Sequence, residues 1–88
     1  MNHKHRTTLH ALFAHPISGN IAFKDVKSVL EELGADISRG GHSHLAVKLN
    51  GHTHNFQDTV HSLSKDAVAE VRKFLELAGV DPVKDHPL

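Results

Sequence analysis

At 88 residues the chain can bury one modest core and has no room for a second domain. Its 10 Lys and Arg balance 10 Asp and Glu, which excludes nucleic-acid binding by bulk positive charge; having 0 Cys, it has no disulfides, thiolate zinc sites or cysteine nucleophiles. With 10 His, whose ordinary pKa lies near 6.5, mild acid at pH 6.5 adds about five positive charges.

The opening MNHKHRTTLHALF contains no long apolar stretch, and no segment approaches the roughly 20 apolar residues of a membrane span. A cytoplasmic protein without membrane contact is expected. Residues 7–14 are predicted helical, with Thr7 or Thr8 as cap and Leu9, Leu12 and Phe13 on one face. Together with the turn chemistry of Pro16, Gly19 and Asn20 this makes residues 1–20 an N-terminal helix-and-turn extension.

A second helix is predicted over 23–33, where Val26, Val29, Leu30 and Leu33 recur at i, i+3, i+4 and i+7 before Gly34. Strands follow at 35–39, 42–49 and 52–56, the last two joined by Asn50-Gly51, the favoured two-residue hairpin turn. A third helix covers 63–78, with Ser64 as cap, Asp66 at its positive end and Val68, Val71, Leu75 and Ala78 as its buried stripe. Residues 81–88 are expected to be a loose tail. The order is helix, helix, three antiparallel strands, helix, an α+β domain spanning 1–88.

The stretch GHSHLAVKLNGHTHNF, residues 41–56, sets two His-x-His pairs on either side of the turn. A two-residue turn pairs Leu49 with His52, Val47 with His54 and Leu45 with Phe56 on one side of the sheet. His42, His44, Ala46 and Lys48 fall on the other side, opposite Thr53, Asn55 and Gln57. Only the first side is apolar enough to be covered by helices, so His52 and His54 point towards the helices or their margin and His44 points away. A tetrahedral zinc site needs ligands converging to about 2.1 Å on one ion, and histidines divided between two faces do not converge. No metal or cofactor is therefore expected. His52 and His54 read as hydrogen-bonded margin residues, and His3, His5, His10, His15 and His86 as solvated.

Residues 41–51, GHSHLAVKLNG, resemble the Gly-Ser-His element of the HicA (YcfA-like) toxins of HicAB toxin-antitoxin modules, which runs into a strand and then a glycine turn. The segment HRTTLHALFAHPISGNIAFKDVKSVLEELGADIS is similar to a branch of that family with an added N-terminal helix, and AVAEVRKFLELAGV to its closing helix. The resemblance implies a small double-stranded-RNA-binding-type fold, a three-stranded antiparallel sheet packed on helices in the order α-α-β-β-β-α. It also implies cleavage of messenger RNA and translation inhibition in a bacterial cytoplasm, silenced by a HicB-type antitoxin that covers the catalytic face. Matching Ser43, His44, Leu45 and Gly51 to the element places the family's catalytic histidine on His44. Two positions depart: His42 stands where the family has glycine, and the Pro-x-His after the third strand is missing, with His61 its nearest substitute.

RNA cleavage without metal needs a base for the 2′-hydroxyl, a proton donor for the leaving 5′-oxygen and cations on the phosphate. Histidine suits proton transfer near neutral pH, typically contributing about 10² to 10⁴ in rate. The expected site is His44 as general base or acid, with Ser43, Lys48 and Arg39 at the RNA, Lys24 and Lys27 extending the phosphate surface, and His42 and His61 as accessory groups. The alternative is a catalytically silent RNA-binding or antitoxin-binding domain of the same fold, favoured by the neutral charge and the missing Pro-x-His. A His-rich metal carrier is the third reading.

Overall fold

The computed structural model describes residues 2–17, 19–39, 44–57 and 62–87. Helix α1 (His3–Leu12) starts four residues before the predicted boundary, because the Asn2 side chain accepts the His5 N–H at 2.8 Å and so caps it. Thr7 and Thr8 instead lie inside the helix, their hydroxyls donating to the carbonyls of His3 and Lys4 at 2.9 and 3.1 Å. Strand β1 (Ile21–Ala22) leads directly into α2 (Phe23–Glu32). That helix closes as its glycine predicts: Gly34 takes φ +95°, and the N–H groups of Gly34 and Ala35 return to the carbonyls of Glu31 and Leu30, each at 3.0 Å.

Strands β2 (Asp36–Arg39), β3 (His44–Leu49) and β4 (His52–Gln57) form an antiparallel sheet in the order β2-β3-β4. The turn between β3 and β4 has Asn50 at φ 51° and Gly51 at φ 83°, the two positive values that a tight primed turn requires. Asn50 is also tied down, since its Nδ2 donates to the Ala78 carbonyl at 2.7 Å. After β5 (Ser62–Leu63), α3 (Lys65–Leu77) begins at Ser64, whose hydroxyl accepts the Ala67 N–H at 3.2 Å. The β1 and β5 pairing, Ile21 with Leu63 and Ala22 with Ser62, was not predicted, because two-residue strands show no periodicity. It ties the start of α2 to the start of α3.

One core joins these elements. Leu9 and Leu12 of α1, Val26, Val29 and Leu30 of α2, and Val68, Val71, Phe74 and Leu75 of α3 are buried against Leu45, Val47, Leu49 and Phe56 of the sheet. The segment expected as a loose tail carries a short helix, α4 (Pro82–Asp85), capped by Asp81, with Pro82 buried. His10 Nε2 hydrogen-bonds the main-chain carbonyl of His86 at 2.8 Å, so the His10 ring is not merely solvated. Among the described residues no helix is long and apolar enough to cross a membrane.

Arg72 holds α1 against α3. Its Nε donates to the Leu12 carbonyl at 2.8 Å and its Nη2 to the Ala14 carbonyl at 2.6 Å, satisfying groups at the end of α1 that the helix leaves unbonded. Two charge-assisted bonds in a partly buried setting lead us to expect that Arg72→Met lowers unfolding stability by about 2 kcal/mol. A denaturant titration checks this, and an unchanged midpoint would refute the role.

Candidate nucleic-acid interface

The register of β3 and β4 sets the two faces of the sheet. Leu45 pairs with Phe56, Val47 with His54 and Leu49 with His52, while His44 pairs with Gln57, Ala46 with Asn55 and Lys48 with Thr53. The first set adjoins the core and the second forms the open face, as the turn length predicted. His44 is exposed at the first residue of β3, and Lys48 is exposed on the same face, one further pleat beyond Ala46. Lys48 also sits across from Asp36 of β2, so its charge faces a carboxylate.

The expected cations do not gather around His44. Arg39 pairs with Leu45, which puts it on the covered side of the sheet by strand parity, although the residue is exposed at the strand end. Lys24 and Lys27 lie on α2, which packs its Val26, Val29 and Leu30 on that same covered side. Lys27 Nζ stands 5.4 Å from the centroid of the Phe23 ring, near enough for a cation–π contact. Lys24 is exposed one residue after Phe23. Two halves of a surface result: His44 and Lys48 on the open face, and Lys24, Lys27 and Arg39 on the helix side. His42, Ser43 and His61 lie outside the described residues.

Packing accounts for His54. His54 is half-buried, its ring 4.6 Å from that of Phe56 and its Nε2 3.2 Å from Glu70 Oε1. Phe56 in turn meets Phe74 edge-on at 5.6 Å. His52 is exposed at the margin beyond it. Among the described residues, no group of three or more His, Cys, Asp or Glu is placed to hold a metal ion.

His5 departs from its expected solvation. Its Nδ1 donates to Glu32 Oε1 across the α1 and α2 interface, beside Lys4 Nζ at 3.9 Å from Asp25 Oδ1. This hydrogen bond from His5 holds the Glu32 carboxyl below its ordinary value of 4.5. A lowered carboxylate pKa adds stability above its unfolded value, and that stability disappears as pH falls through the folded value. Thermal unfolding of wild type and His5→Ala should therefore differ most above about pH 4.5 and converge on acidification below it. A gap that widens with acid would contradict the pairing.

The signal for Glu32 and for the His10 contact was absent locally, since each joins residues far apart in sequence with no shared period. No family model matches the chain, and no curated protein or solved structure matches it either.

Proposed function

We propose that the chain binds RNA and cleaves it as an endoribonuclease of HicA-like type, with His44 in proton transfer and no metal. The observation that carries this reading is that His44 is exposed at the start of a central strand, on the face of the sheet that no helix covers among the described residues, with Lys48 on the same face. A base there can take the 2′-hydroxyl proton as the 2′-oxygen attacks phosphorus. The bond from phosphorus to the 5′-oxygen then breaks, and that oxygen takes up a proton, leaving a 2′,3′-cyclic phosphate and a 5′-hydroxyl. Lys48 supplies positive charge for the phosphate on this face. The core lies behind the sheet, so the proton transfer itself uses no buried residue.

The reading places the protein in a bacterial cytoplasm as the toxin of a two-protein module, arresting translation by destroying messenger RNA. Its partner is a HicB-type antitoxin laid over the open face, since blocking RNA from His44 is the simplest inhibition. The binding-domain alternative draws support from the distribution of cations, which puts Lys24, Lys27 and Arg39 on the other side of the sheet from His44. Controlled expression of wild type and His44→Ala separates the two. Growth arrest with messenger-RNA loss in the wild type alone supports cleavage; folded proteins that are both harmless leave the binding domain.

A further inference from the structure

We propose that the cleft at the His44 end of the sheet receives one unstacked RNA base whose edge carries hydrogen-bond donors, guanine before the others; this rests on the RNA reading above. The cleft encloses about 330 Å³, within the range of small-ligand sites. Phe23 and Phe56 supply apolar lining, and Gln57, Ser62, Ser64 and Glu70 supply polar groups.

Its position is the first argument. Gln57 is the register partner of His44, so one wall of the cleft continues the strand pair that presents the candidate base. On the opposite wall Phe23 opens α2, with Lys27 over its ring and Lys24 beside it. The cleft therefore opens on the helix side of the sheet, at the strand end where Gln57 pairs with His44. An RNA strand with its phosphates along Lys24 and Lys27 and its scissile linkage at His44 would carry a nucleotide past this opening.

The chemistry of the lining is the second argument. Attack by a 2′-oxygen in line with the leaving oxygen requires the nucleotide to leave its stacked geometry, and an unstacked base needs an apolar surface for its faces and polar partners for its edge. Phe23 is 2% and Phe56 5% exposed, so both rings belong to the core and form a floor fixed before a base arrives, while the exposed part of the lining is polar. The Glu70 carboxylate accepts but never donates when ionised. It is steadied by the 3.2 Å contact of its Oε1 with His54 Nε2. Guanine offers two adjacent donors, the ring N1–H and the 2-amino group, which match a carboxylate, whereas adenine lacks the ring donor. The Gln57 amide and the Ser62 and Ser64 hydroxyls serve the remaining acceptors.

The test uses the full chain and two independent readouts. Titration with GMP, AMP and UMP is followed through the amide signals of Phe23, Gln57 and Ser62, and cleavage sites are mapped on a mixed-sequence RNA for wild type and Glu70→Gln. GMP should move these signals and bind about tenfold more tightly than AMP, and Glu70→Gln should erase that difference, as loss of a paired base contact does. Cleavage should fall beside guanine in the wild type and lose that preference in Glu70→Gln. GMP binding at the cleft without any cleavage supports the pocket and removes the ribonuclease reading. Cleavage with no movement of the cleft signals and an unchanged preference in Glu70→Gln overturns the pocket and leaves the ribonuclease standing.

Discussion

Purified His44→Ala should cleave RNA about 10² to 10⁴ times more slowly than wild type while unfolding at nearly the same denaturant concentration. Under the proposed mechanism, the rate loss follows from removing the group that moves the proton. The unchanged stability follows from position: His44 is exposed, at the end of a strand, on the face away from the core. Ala46, two residues on, already occupies that face without disturbing the pairing. Lys48→Ala should act differently, weakening RNA binding and its salt dependence with a smaller loss of rate, because a phosphate cation neutralises charge and does not transfer the proton. A His44→Ala protein that cleaves like wild type would remove the residue from the chemistry.

Leu75→Ala should cost about 2–5 kcal/mol, a large part of the roughly 5–15 kcal/mol that holds a domain of this kind folded. Leu75 is 0% exposed within the core cluster, so truncation leaves a cavity inside it. Leu77 on the same helix is 60% exposed, and Leu77→Ala should change stability by no more than about 0.5 kcal/mol. Equilibrium denaturation of the pair checks both. Equal losses at the two positions would mean that the stripe on α3 faces elsewhere than the core described above.

The sheet was legible because one feature fixes it. Asn50-Gly51 admits a two-residue turn, that turn sets every pair between β3 and β4, and parity then assigns each side chain a face. Helices α2 and α3 were legible because an unbroken stripe ends at a glycine in both. Helix α1 was misplaced because Thr7 is also a competent cap and the apolar spacing begins only at Leu9, which hides the stronger cap at Asn2. For α4 a signal did exist, an Asp cap at Asp81 followed by Pro82 at the first helical position, in a segment too short for an apolar stripe.

The candidate site was legible in part for the same reason. The face that His44 and Lys48 share follows from hairpin parity, while the choice of His44 on it rests on the resemblance to the Gly-Ser-His element. The face of Arg39 does not follow, because the sequence carries no Asn-Gly signal between the two strands and leaves that register open; the observed pairing with Leu45 sends it to the covered side. Lys24 and Lys27 depend on where α2 packs, and the cleft depends on β1 meeting β5 across 42 residues, from Ile21 to Leu63. These are tertiary facts with no local period to announce them.

The most direct measurement is incubation of the purified protein with single-stranded RNA in excess chelator, followed by mass analysis of the product ends. Fragments bearing 2′,3′-cyclic phosphates and 5′-hydroxyls, absent when the substrate is 2′-deoxy or the protein is His44→Ala, are the predicted result. Intact RNA in the presence of folded wild-type protein, or products that require a divalent metal, would contradict it.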